Sequence, residues 1–262
     1  MKVFVCGSED EAGEKAWEVI DEIVSKASKS RGVATIGLSG GSVPRLLAQA
    51  MVKQNKKQNP KTPSPWANAQ FFFADERCVS HSSNDSNFKL NNKEFLSYLP
   101  IDVDKNVHQT DAKLSPDEMA ESYQAHMEEY FKSISSVNDN GMPIFDLLIL
   151  GMGPDGHTCS LFPGHELLNE TEKYVVSIVD SPKPPPERIT LTFPIINAAR
   201  HVVFLCTGSS KADALANVLE GNVQEDVSKW LPSRLVMPKS GNLVWVVDKP
   251  AASHLKNSYP SK

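Results

Sequence analysis

The chain has 262 residues, 40% apolar and 23% charged, with a formal net charge of −5. That length allows one large domain or two small ones around a buried core, and the composition is globular, not disordered or fibrous. The acidic balance with no offsetting basic tract speaks against a nucleic-acid partner, and no apolar run reaches the roughly 18 residues of a membrane span. A short basic cluster, Lys53, Lys56 and Lys57, reads as a solvated helix end. Cys6, Cys78, Cys159 and Cys206 lie far apart and form no CxxC pair, which predicts reduced thiols and a cytoplasmic protein.

In chain order, residues 3–6 predict a strand, and the chain opens into it with no leader-like pattern. Residues 11–28 predict a helix with Ala16, Val19, Ile20, Ile23, Val24 and Ala27 on one face. A β-rich run at 33–38 leads through a glycine-rich turn into a helix at 43–52, and 70–74 is another strand. Asn, Lys and Pro at 55–65 predict an exposed connection. Ser115 followed by Pro116, Asp117 and Glu118 starts a helix running to 131. The apolar run 145–151 suits a buried parallel strand. Further strands are predicted at 174–179, 188–192, 201–207 and 243–247, and a helix at 211–219. The proline run SPKPPP at 181–186 must be extended and stiff. Alternating strands and helices predict an α/β fold: an open, mainly parallel twisted sheet flanked by helices, in a single domain over 1–262. The terminal Pro260-Ser261-Lys262 lacks the leucine that would complete a peroxisomal address.

Four stretches carry chemistry. GLSGGSVPRLL at 37–47 places Ser39, Gly40, Gly41 and Ser42 between a strand and a helix start, where free amides suit a phosphate, with Arg45 one turn in. It is neither a Walker loop nor a dinucleotide fingerprint. FFFADERCV at 71–79 delivers Asp75, Glu76 and Arg77 to a strand's C-terminal end, with Asp75 and Arg77 facing the same way. The competing reading is a surface charge cluster with an internal ion pair. FDLLILGMGPDGHTCSLFPGH at 145–165 runs a greasy strand into Asp155-Gly156-His157, and a carboxylate beside a histidine can fix its tautomer. In the fourth, Arg188 follows the proline run, and Gly208-Ser209-Ser210-Lys211 makes another strand–turn–helix junction. His81, His108, His126, His201 and His254 show no metal-ligand spacing, so no metal site is expected. Cys159 reads as a packing residue, since sequence neighbours such as His157 rarely pair as nucleophile and base.

Taken together and in order, these stretches resemble the 6-phosphogluconolactonase family, within the wider glucosamine-6-phosphate isomerase/deaminase superfamily, and among its forms the plant-like cytosolic one. The resemblance runs from Val3 to about Trp245, and GMGPDGHTCSLFPGH is its most specific piece. The deaminase branch follows its histidine with an asparagine-glutamate-proline segment; here Ser160-Leu161-Phe162-Pro163 stands there without an acid, and Arg77 replaces an aromatic residue. Sensor relatives on the same fold carry a DNA-binding helix-turn-helix, for which the residues before Val3 leave no room. The resemblance implies hydrolysis of a phosphosugar lactone without metal or cofactor, in the oxidative pentose phosphate pathway, by a monomer or weak homo-oligomer. It implies His157 as general base, Asp155 and Asp75 as orienting groups and Arg77 against developing charge. Ser39, Gly40, Gly41, Ser42, Arg45, Arg188 and Lys211 would hold the phosphate.

Overall fold

A computed structural model describes residues 1–55, 64–222, 226 and 229–259. Most of the stretch 55–65, Lys56 and Lys57 within it, and 260–262 lie outside the described residues. In chain order the elements are β1 (Lys2–Cys6), α1 (Glu9–Arg31), β2 (Ala34–Leu38), α2 (Val43–Asn55), β3 (Ala69–Phe73), β4 (Asp75–Arg77), α3 (Asn87–Glu94) and α4 (Val103–Asn106). There follow α5 (Pro116–Ser133), β5 (Leu147–Leu150), β6 (Val175–Ile178), β7 (Arg188–Leu191), α6 (Phe193–Ile196), β8 (Val202–Cys206), α7 (Ala212–Glu220) and β9 (Leu243–Asp248).

Six strands form a parallel sheet in the order β1-β9-β8-β5-β2-β3. Period-two alternation sorts their side chains between two cores, one per face. Ile36 and Leu38 of β2, Phe71 and Phe73 of β3, and Leu147 and Ile149 of β5 pack beneath α1 and α2. Phe72, Leu148 and Leu150 point to the opposite core with α5 and α7. The three consecutive phenylalanines are therefore split between faces, and all are buried.

The α/β class expected from the strand–helix alternation is what the chain adopts, with one difference. β4, β6 and β7 do not extend the parallel sheet; they form a separate antiparallel sheet in the order β4-β7-β6. Its residues Val175, Ile189 and Leu191 share the core with Phe72 and Phe204. β4 starts two residues after β3 ends, so one run of chain crosses from one sheet to the other at the parallel strands' C-terminal edge.

That edge is where the sheet reverses direction. The chain leaves β2 toward β3 on one side and leaves β5 toward β8 on the other, so the loops after β2 and β5 diverge and open a crevice between them. At the opposite end, buried Asp146 accepts the Thr35 backbone N–H at 2.9 Å and its hydroxyl at 3.2 Å. This bond, with Arg31 and Arg200 paired to the same carboxylate, ties the starts of β2 and β5 together.

Phe72 lies among Tyr123, Phe131 and Phe145 and stacks on His108 at 4.0 Å between ring centroids. Phe72→Ala empties that space and should cost about 3–5 kcal/mol of stability, read as a lower denaturant midpoint at unchanged slope.

Candidate active site

A cleft of about 240 Å³ opens at the C-terminal edge of the parallel sheet. The turn after β2 supplies Ser39 to Ser42, the β3–β4 crossing supplies Asp75 and Arg77, and the loop after β5 supplies Gly153 and His157. Arg188 comes from β7 and Lys211 from the turn after β8. Four loops distant in sequence thus meet at one place.

The imidazole is held by its own loop. Gly153 N–H donates to the His157 carbonyl at 2.9 Å, and the Gly156 carbonyl accepts from Ser233 N–H and Oγ. His157 Nδ1 and Asp155 Oδ1 are 2.5 Å apart, a separation that requires a hydrogen between them. A neutral imidazole carries one hydrogen, so Nε2 is left with a lone pair. Among the described residues Nε2 has no hydrogen-bond partner. Burial pushes the His157 pKa below its ordinary value, against the pull of Asp155, so the ring is neutral near pH 7. Burial acts upward on Asp155, but His157 and Lys183 outweigh it and hold the carboxyl at about 2.

The Asp-Glu-Arg triplet is not a surface ion pair. Glu76 is 1% exposed and accepts the N–H groups of Arg77, Asn87 and Phe88 at 2.6–2.7 Å, with Ser86 Oγ at 3.2 Å. It is an anchor for the start of α3, and so sets Asn87 against the cleft. Asp75 accepts Ser160 Oγ at 2.9 Å, and Arg188 Nη1 reaches the same hydroxyl at 3.4 Å. Arg77 and Arg188 are direct cross-strand neighbours on β4 and β7. Like charges placed opposite one another repel, and negative charge on a ligand in the cleft lowers that penalty.

The turn at 39–42 fits an anion too. Among the described residues no protein acceptor takes the amide hydrogens of Gly40, Gly41 or Ser42. A Cβ at Gly40 would overlap the Asn87 side-chain amide, so only glycine lets α3 close on the turn. Ser39 Oγ, Arg77 Nε and Asn87 Oδ1 are buried without a protein partner, and all three residues line the cleft. Buried polar groups in that state are the natural contacts of a polar ligand. Lys211 makes no ion pair among the described residues, and burial lowers its pKa.

Arg45 is not brought into this cleft. It lies on the outer face of α2, with its guanidinium on Glu9 of α1 and 3.4 Å from Gln49, half exposed. Cys159 borders the cleft, but burial raises its thiol pKa well above the ordinary range, as suits packing and not attack. Three contributors escaped the reading of the sequence. In the sequence Ser160 appears only as one of the residues that stand in place of the deaminase segment, Asn87 lies in a polar stretch with weak helical periodicity, and Lys183 shows only as part of a stiff proline loop. Its signal was present: a cation in a chain segment locked by prolines is held where it points.

Residues 7–245 match the family model described as glucosamine-6-phosphate isomerases/6-phosphogluconolactonase. The chain belongs to this family. The 6-phosphogluconolactonase of Rattus norvegicus is 43% identical over 223 residues, covering 85% of this chain and 81% of that protein. The chloroplastic 6-phosphogluconolactonase 3 of Arabidopsis thaliana is 42% identical over 239 residues, covering 89% of this chain and 69% of that one. An animal and a plant protein are thus equally similar, and identity does not single out a plant-like form. The solved 6-phosphogluconolactonase of Trypanosoma cruzi matches with a TM-score of 0.80 at 28% identity, over 98% of this chain and 97% of that chain.

Gly153 offers a specific check on the dyad. A Cβ there would overlap the ring of His157 and crowd Asp155 Oδ1. Gly153→Ala should leave the thermal midpoint near its original value yet lower turnover by about a hundredfold, the scale of an ångström's misplacement.

Proposed function

We propose that the chain hydrolyses 6-phospho-D-glucono-1,5-lactone to 6-phospho-D-gluconate, the second step of the oxidative pentose phosphate pathway, by general-base activation of water. One observation carries the reading: a neutral imidazole with a free Nε2, fixed through Nδ1 by a carboxylate, shares a cleft with an amide-rich turn and three cations. A base and an anion grip at fixed separation suit a substrate with an electrophilic carbon at one end and a phosphate at the other.

In this mechanism Nε2 of His157 takes a proton from water as the water oxygen attacks the lactone carbonyl carbon. Asp155 holds the ring and stabilises the imidazolium. Arg77 faces the charge developing on the carbonyl oxygen. The tetrahedral intermediate then expels the ring oxygen, which takes the proton back from the imidazolium, and the new carboxylic acid ionises. Asp75 orients the site through Ser160 and Arg188. The turn Ser39-Gly40-Gly41-Ser42, with Arg188 and Lys211, grips the phosphate, and Arg45 is left out of the grip. Phosphate binding far from the reacting carbon supplies energy that holds the carbonyl beside the base.

Phe162, buried and immediately before Pro163, stands where the deaminase branch has its assisting glutamate. Without that acid the amino-sugar proton relay has no support, which favours the lactonase. The same reading takes 1–262 as one domain, since the two sheets share a core. It takes the substrate as the sole ligand, with no nucleic acid, and a monomer or weak homo-oligomer in the cytoplasm. Among the described residues no helix is long and apolar enough to cross a membrane.

The test is a coupled assay in which the lactone is generated in place and its decay followed with and without protein at mildly acidic pH. His157→Ala should lose about 10²–10⁴-fold in kcat while remaining folded, and full kcat in that variant would exclude His157 as the base. The pH profile follows from the lowered imidazole pKa. Activity is complete where His157 is neutral and falls as pH drops and the ring takes up a proton. The acid limb of kcat/KM should therefore lie below 6.5, the ordinary histidine value.

A further inference from the structure

Lys183 contributes a side chain that the mechanism above does not use. It sits in the loop 181–186, whose backbone is fixed from both sides. Ser181 Oγ donates to the Lys183 carbonyl at 2.9 Å, and Ser181 N–H to that of Pro186 at 3.2 Å. From the other side Arg188 donates through Nε to Pro185 and through Nη2 to Lys183 and Pro184, at 2.8–3.0 Å. A lysine on so constrained a backbone has far less freedom than one on a surface helix.

Its ammonium lies 3.0 Å from Asp155 Oδ1 and 3.1 Å from His157 Nδ1. The three atoms form a triangle with a single acceptor. The hydrogen on Nδ1 is committed to Oδ1, so Nδ1 has no lone pair in the ring plane for Lys183. The ammonium therefore donates to Asp155 and stands beside the imidazole as a neighbouring positive charge. Lys183 is not among the residues lining the cleft, so it acts behind the dyad.

We propose that Lys183 is a positioning residue of the proposed lactonase: it anchors the Asp155 carboxylate against the Nδ1–H bond and offsets that carboxylate's charge, so that His157 takes water's proton and then releases it to the leaving ring oxygen. The chemistry requires both halves. A carboxylate alone beside the ring favours the imidazolium, which helps the first transfer and hinders the second. A cation sharing the same oxygen keeps the geometry and removes part of that bias. The charged groups acting on His157 are Asp155 and Asp75, which favour the imidazolium, and Lys183, which together with burial opposes it. Arg77, Arg188 and Lys211 border the same cleft.

The proposal rests on the lactonase reading, so its test pairs the assay with a measurement that needs no turnover. The titration of His157 is followed by NMR in the unliganded full chain, and kcat and KM are measured against pH, for wild type, Lys183→Met, Lys183→Gln and Lys183→Arg. Removing the cation should raise the His157 midpoint and the acid limb of the profile together by about one pH unit. The imidazolium becomes up to about tenfold weaker as an acid, so kcat falls, with KM within about twofold of wild type. Lys183→Arg restores the midpoint. A folded Met or Gln variant whose His157 midpoint does not move overturns the proposal and leaves Lys183 a loop pin. A rise in KM at unchanged midpoint overturns it as well, by making Lys183 a substrate contact. If the wild type fails to hydrolyse the lactone while the midpoint still moves, the lactonase reading falls and the coupling of Lys183 to the dyad stands.

Discussion

A single hydrogen held between His157 Nδ1 and Asp155 Oδ1 is the constraint on which the site depends. Neutral imidazole has one N–H, and committing it to the carboxylate decides which nitrogen is basic and where it faces. Much of the surrounding structure serves that bond. Gly153 leaves room for the ring, Ser233 ties the loop at Gly156, and Phe162 packs 4.8 Å from the imidazole centroid. Further out, Arg188 reaches toward Phe162 while gripping the loop that carries Lys183. The same arginine therefore lines the cleft beside the 39–42 turn and braces the loop behind the dyad.

Placing these groups together is the work of topology. Parallel strands bring their C-terminal ends to one edge, and the reversal between β2 and β5 separates two loops that would otherwise pack on each other. The second sheet adds what the parallel one cannot. Its β4–β7 pairing sets Arg77 directly across from Arg188, a like-charge arrangement that makes sense beside an anion. Asp75 and Asp155, the carboxylates that act on the imidazole, both accept hydrogen bonds from protein donors, so neither competes freely with the ligand for those cations.

How much of this was legible in the sequence differs by element, for physical reasons. The buried run around Leu147–Leu150 and the apolar face of α1 announce themselves because strand and helix periods are enforced by burial. Ser115 and Glu118 marked the start of α5 through a capping box, which is local chemistry. β4 was illegible as a strand: it has three residues, all charged, and owes its form to pairing with β7 far along the chain. The antiparallel sheet was missed for the same reason, since strand direction is set by partners and not by composition. In the site, residues inside glycine-rich turns could be found from their motifs. Lys183 could not be assigned a partner, because it meets Asp155 only through the fold. Arg45 erred in the opposite sense: proximity to the turn in sequence suggested a phosphate contact, but its position on α2 aims it at Glu9 on α1.

The central claim is that the phosphate grip and the base act on two ends of one molecule in one cleft. A crystal structure with 6-phospho-D-gluconate bound tests it most directly. The account predicts the phosphate on the amides of Gly40, Gly41 and Ser42 with Arg188 and Lys211 around it, and the carboxylate end within hydrogen-bonding distance of His157 Nε2. A product bound with its carboxylate away from His157, or with its phosphate outside the 39–42 turn, would contradict it.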